Sequence, residues 1–189
     1  MRIITDFAVI PNEYAKHAPA EASLEGTPII SFPFRLEGVP EAASFLSWEL
    51  VDPDSIPVCG FQWIHWSLAN LPVERVREQD QTQAPSGAGV AVSIPRDYSR
   101  RLPGLVPGVP QGRTSAASKF VGGTNPALTC RYNGPTPPDQ THDYVLRVWA
   151  SGQPLPGLED GFWLNALEHA VHANPDVLAV TEAWLPAEA

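Results

Sequence analysis

The sequence predicts a mainly β, β-rich α+β fold, and three observations carry that expectation. Apolar, aromatic-rich runs of strand length dominate the middle of the chain. A single segment has a sustained helical period. Between these, 21 Pro and 14 Gly among 189 residues exceed the globular average yet stay below the content of disordered chains, which points to a turn-rich folded protein. The length is most simply one domain, residues 1–189, and it suffices to bury a hydrophobic core.

In chain order, Ser44 to Val51 (SFLSWELV) is a compact apolar run closed by Asp52-Pro53-Asp54, which reads as a buried strand ending in a turn. Phe61 to Leu71 (FQWIHWSLANL) nearly alternates and predicts a second strand. From Arg75 to Thr124 the chain is polar and punctuated by Pro-Ser-Gly, Pro-Gly and Gly-Gly. That stretch is expected to be mostly loop, and a connection so long is usually functional or mobile. Tyr144 to Ala150 (YVLRVWA) predicts a third strand, with Tyr144, Leu146 and Val148 on one face and Val145, Arg147 and Trp149 on the other. Gly161 to Ala173 predicts a helix through Phe162, Leu164, Ala166, Leu167, Ala170 and Val171, and Pro175 closes it. The tail VLAVTEAWL reads equally as a last strand or a short second helix. No internal repeat is apparent.

A formal net charge of -9 argues against a surface that clamps nucleic acid or an anionic membrane, so any anion site must be local. The opening MRIITDFAVIPNEYAKHA breaks its apolar residues with acids and a proline, unlike a secretory signal. No stretch approaches a membrane span, and a cytoplasmic location is expected. Cys59 and Cys130 have no metal-type spacing and are expected to be free thiols.

Polar groups concentrate at strand ends in three places. In VDPDSIP, Pro53 pushes Asp52 toward extended geometry and so holds it at the mouth of the strand, although Asp and Pro also simply favour turns. In WIHW, His65 lies mid-strand among large apolar side chains, where a core histidine with one satisfied hydrogen bond is the ordinary occupant. In NGPTPPDQTHDY, Pro135, Pro137 and Pro138 stiffen the backbone that delivers His142 to the start of a strand; the ordinary reading is a rigid loop. Together they predict one site. An aspartate accepting a hydrogen bond from a histidine stabilises the imidazolium, and a charged histidine beside free backbone N–H groups makes a small-anion site.

Asp-Pro-Asp followed by IHW and NLP, then YNGPTPPDQTHDY, resembles the phosphatidylethanolamine-binding protein family in its bacterial Raf-kinase-inhibitor-like branch. The segment Ser31 to Asp54, with Gly38, Val39 and Pro40 in register, is similar to that family's usual Gly-Val-Pro turn, strand and Asp-Pro-Asp turn. The resemblance implies a large central mixed sheet, a smaller sheet, peripheral helices and a pocket for phosphate-like anions or phospholipid headgroups. Asp52, Asp54, His65, Gly134, Pro135, His142 and Tyr144 would line or support that pocket, with no metal, cofactor or catalytic residue. It leaves a homodimer, a protein partner and a regulatory role open. The chain departs from the pattern at Asp143, where the family has arginine, at Asn125-Pro126-Ala127-Leu128, which replaces Asn-Asp-Phe-Gly, and at Arg131, which replaces glycine. The long 75–124 segment carries the basic cluster Arg96, Arg100, Arg101, Arg113 and Lys119, read first as solvated and second as a lure for anions.

The alternative is a metal-dependent or hydrolytic enzyme using His65, His142 and Asp52, since two histidines and a carboxylate form known metal sets. No HxH or HxxxH spacing supports it, and Glu168, His169 and His172 are expected on a solvated helix face. No Gly-x-Ser-x-Gly is present. Cys59 follows the Asp-Pro-Asp turn closely enough for its thiol to reach the pocket, while burial as a small hydrophobe is the default.

Overall fold

The fold is that of a computed structural model describing residues 1–78 and 89–189. Its strands are β1 (Arg2–Ile4), β2 (Ser23–Leu24), β3 (Thr27–Pro28), β4 (Phe34–Val39), β5 (Phe45–Asp52), β6 (Trp63–Pro72), β7 (Val90–Ile94), β8 (His142–Ser151) and β9 (Val177–Ala187). The helices are α1 (Ile56–Cys59), α2 (Tyr98–Leu105), α3 (Pro126–Thr129) and α4 (Leu164–Ala173). Strands thus dominate. A four-stranded sheet runs β6-β5-β8-β9, a three-stranded sheet β1-β4-β7, and β2 pairs with β3. Every pairing among the described residues is antiparallel, so the mixed sheet that the family resemblance implied is an antiparallel one here.

The three strands read from the apolar runs are β5, β6 and β8. β5 lies between the other two, and all but its first residue are buried. Both faces of the sheet are covered, which explains a near-continuous apolar run in place of strict alternation. One face, through Trp48, Leu50, Trp66, Tyr144, Leu146 and Val148, packs into the main core with Phe34, Leu36, Val92 and Ile94 of the smaller sheet. There Phe34, Trp48 and Trp66 meet edge to face at 5.6 and 5.0 Å, pairs worth about 0.5–1.5 kcal/mol each beyond their buried area. The other face, through Val51, Val145 and Trp149, meets Phe162, Leu164 and Leu167 at α4.

Two elements differ from their expected form, and the tail takes one of its two expected forms. The predicted helix begins at Leu164, because Gly161 adopts φ 83° and donates its N–H to Gln111 O, outside any helical geometry. It stops at Ala173, before the Asn174-Pro175 step that disfavours helical backbone. The tail is a strand, β9, whose residues alternate between half-buried and exposed along most of its length. The stretch from Arg75 to Thr124 contains β7 and α2 besides its turns; residues 79–88 of it lie outside the described part. β7 is only five residues long, and α2 carries Pro103 inside it, which masks a helical reading. A proline there leaves the carbonyl of Ser99 without its helical donor. Gln111 Nε2 supplies that donor at 2.9 Å, while Gln111 Oε1 accepts from Trp66 Nε1 at 3.0 Å and Ser99 Oγ at 2.7 Å. The segment is thereby tied to the main sheet.

Candidate functional site

The end of β5 organises the site. Asp52 is extended, as a residue before proline should be, and it caps the 3-10 turn Pro53–Ser55 by accepting the Ser55 N–H on Oδ1 at 3.0 Å. Its second oxygen, Oδ2, lies 2.8 Å from Nδ1 of His142, the first residue of β8. Asp54, one step past the proline, accepts the backbone N–H of Asp143 at 2.8 Å. The Asp-Pro-Asp turn therefore grips the start of β8 twice, once by a ring and once by the main chain. Ser55 extends the grip to β6: its Oγ accepts the Trp63 N–H at 2.8 Å.

His65 comes from β6 and is buried. Its Nδ1–H donates to Asn133 O at 2.6 Å, and the Asn133 N–H donates back to His65 O at 2.9 Å. That bond fixes the neutral tautomer and leaves Nε2 as an acceptor, buried and without a hydrogen-bond partner. Burial outweighs the help of Asn133 and Asp52 and lowers the His65 pKa to about 4, so the ring is neutral near pH 7. Tyr144 of β8 sets its ring edge to face with His65 at 5.0 Å and 6.5 Å from His142. Its hydroxyl is buried; Asp52 and the Thr136 backbone lie near enough to bear on its ionisation, but neither makes a hydrogen bond of normal geometry to it. Burial, then Asp52, hold this phenol far above its ordinary pKa, so it is a donor.

His142 differs in charge. Burial opposes its protonation, yet Asp52 and then Asp139 overcome that and raise its pKa above the ordinary histidine value. The imidazolium expected from the sequence is thus favoured, but both its nitrogens are engaged: Nε2 lies 3.0 Å from Asp139 Oδ1. Asp139 is the residue that sequence reasoning missed. An aspartate after Pro137-Pro138 looks like ordinary turn chemistry, and only its position three residues before His142 hints at the contact.

A cavity of about 210 Å³ opens between these groups, lined by Asp52, His65, His142 and Tyr144 with Ser55, Cys59, Val58, Trp63, Thr136 and Pro138. Of the seven residues expected at the site, Asp52, His65, His142 and Tyr144 line it. Asp54, Gly134 and Pro135 do not line it: Asp54 and Gly134 bond the backbone of its frame, and Pro135 is buried next to Gly134. Gly134 donates its N–H to Pro28 O at 2.8 Å, and a Cβ there would sit 2.6 Å from both Pro28 Cβ and Tyr14 O, so only glycine lets the loop approach β3. The Cys59 thiol is exposed and lines the cavity, donating toward the carbonyls of Ser55 and Phe61.

The basic cluster stays away. Arg96 pairs with Glu13, Arg100 with Asp97, Arg113 lies over Trp163 and Lys119 over Phe120, and none of these lines the cavity. Glu168, His169 and His172 are exposed on α4. For the metal-dependent alternative, the lone pair of His65 Nε2 is the one ring position among His65 and His142 not already hydrogen-bonded.

A family profile described as phosphatidylethanolamine-binding protein matches residues 2–182. The chain belongs to the phosphatidylethanolamine-binding protein family. It is 36% identical to YxkA of Bacillus subtilis (strain 168) over 156 residues, 82% of this chain and 81% of that protein. It is 30% identical to a UPF0098 protein of Methanothermobacter thermautotrophicus over 142 residues, 74% of each. Two solved structures share the fold: a putative phosphatidylethanolamine-binding protein homologue from Chlamydia trachomatis, with TM-score 0.66, 20% identity and coverage of 100% and 97%, and YbcL of E. coli, described as a member of the mammalian family, with TM-score 0.67, 18% identity and coverage of 100% and 98%. The family fold thus accounts for the two sheets, and this chain's own polar residues account for the chemistry of the cavity. No helix among the described residues is long and apolar enough to cross a membrane.

Proposed function

We propose that the cavity binds a small oxyanion headgroup, a phosphate or phosphomonoester, as a monoanion that still carries an acidic proton. The observation that carries this reading is the pair of buried polar atoms without partners, His65 Nε2 and the Tyr144 hydroxyl, in one cavity. Such groups lose about 1–3 kcal/mol of solvation on burial, which a ligand that both donates and accepts would offset. A protonated oxyanion does so: its O–H donates to His65 Nε2 while an unprotonated oxygen accepts from Tyr144. His142 supplies the opposing positive charge. Asp52 and Asp139 beside it weigh against a dianion, since like charges at hydrogen-bond range repel. Val58, Trp63 and Pro138 give an apolar shelf suited to the carbon part of a headgroup.

Titration calorimetry with inorganic phosphate and with phosphoethanolamine tests the reading. His142→Ala should lose about 1.5–3 kcal/mol of binding, the scale of a charge-assisted contact; unchanged affinity rejects it. Binding of phosphoethanolamine should fade as pH rises from about 5.5 to 8, because a phosphomonoester's second ionisation lies near 6 and His142 deprotonates above its raised pKa. A flat profile would transfer the anion to backbone donors. Preference for vesicles bearing phosphatidic acid, whose headgroup is a phosphomonoester, over inorganic phosphate would identify a lipid source, and equal binding a free one.

A further inference from the structure

The two carboxylates on His142 differ in kind. Asp52 is buried at the end of β5 and is held by the Ser55 N–H. Asp139 lies in the loop between Pro138 and β8, with its side chain 56% exposed, and touches the ring only through Nε2. An N–H group makes one strong hydrogen bond at a time. While Asp139 occupies Nε2–H, no ligand oxygen can take that proton, and Asp52 is too firmly built in to yield the other.

We propose that Asp139 is an internal competitor for the cavity's anion: its carboxylate holds the Nε2–H of His142 in the empty protein and is displaced when a ligand oxyanion takes that bond. This rests on the oxyanion reading and deepens it. The exchange replaces one charge-assisted bond by another, so the affinity reflects their difference. A carboxylate tethered three residues away acts at an effective concentration of roughly millimolar or more. A free anion that bonds imidazolium no better than a carboxylate does must reach that level before it competes. Simple monovalent anions are thereby rejected, and a ligand that also engages His65 and Tyr144 is selected. Asp139 is in this sense a specificity-determining residue of the loop, acting on the cavity through His142.

The experiment is phosphate calorimetry on the full chain as wild type, Asp139→Asn, Asp139→Ala, His142→Ala and the double variant Asp139→Ala/His142→Ala. Removing the competitor should tighten phosphate binding by about two- to fivefold, the scale of one part-exposed ion pair, with Asp139→Asn between wild type and Asp139→Ala. In the His142→Ala background the gain should vanish, since the competition acts through that ring. The pH at which binding fades should also fall in Asp139→Ala. There His142 keeps Asp52 as its raising partner, with neutral His65 and Tyr144 and the more distant Asp54 unchanged around it. A merely structural Asp139 would weaken binding on removal. Equal or weaker binding by Asp139→Ala, with wild type still binding phosphate, overturns the competition alone. Phosphate binding to none of the five proteins overturns the oxyanion reading and the competition with it.

Discussion

The Tyr144 hydroxyl and His65 Nε2 are buried polar atoms that the fold itself leaves without hydrogen-bond partners, next to a cavity. Tyr144→Phe removes a buried oxygen that folding desolvates without compensation, so stability should stay level or rise by up to about 1 kcal/mol. Phosphate affinity should fall about tenfold, because the ligand loses a donor. Thermal denaturation and calorimetry on the same sample check both signs, and lost stability with unchanged affinity would assign Tyr144 to the core alone. At this scale the sequence was partly legible. His65 in WIHW is the core histidine its surroundings predicted, satisfied at Nδ1, and it also lines the cavity. Asp52 and His142 were visible because proline fixes the backbone at each. Asp139 was not, since turns favour aspartate whether or not it bonds anything.

At the scale of elements, the strands that build the site were legible because burial on both faces writes an uninterrupted apolar run, as in SFLSWELV. β7 and α2 were hidden, the first by its five-residue length and the second by Pro103, whose effect on the Ser99 carbonyl is repaired by Gln111, twelve residues away from Ser99. No local pattern announces a repair made from that distance. The tail stayed ambiguous because its apolar residues fit either period until β8 supplied a partner. The loop that presents His142 depends on a similar long-range fit. Gly134 sits against Pro28 and Tyr14, and a methyl group there would meet backbone oxygen at 2.6 Å. Gly134→Ala should therefore destabilise the protein by about 1–3 kcal/mol and displace Asn133, the partner of His65 Nδ1. Denaturant unfolding would show the loss, and the His65 imidazole resonances should shift with it. A variant as stable as wild type, with those resonances unmoved, would show that the loop is held by its prolines alone.

For the whole molecule, the sheet divides two cores, and Glu49 of β5 lies buried on the side of α4, an acid inside an apolar run. Arg147 of β8 bridges it to Glu182 of β9, but one Glu49 oxygen has no hydrogen-bond partner. Burial raises its pKa from 4.5 to about 7, with Glu168 of α4 and Glu182 adding to the rise and Arg147 opposing it. The folded state then retains a proton that the unfolded state has released between these two values. Stability must therefore fall as pH rises through that window, the reverse of a salt-bridged carboxylate with a depressed pKa. At about 1.4 kcal/mol per unit, the loss is on the order of 3 kcal/mol. Glu49→Gln keeps the shape and removes the titration. In urea unfolding the variant should match wild type near pH 5 and exceed it near pH 8, with Arg147 still paired to Glu182. If wild type loses no more stability than Glu49→Gln between those two conditions, Glu49 is ionised in the folded protein throughout, and Arg147 compensates its burial in full.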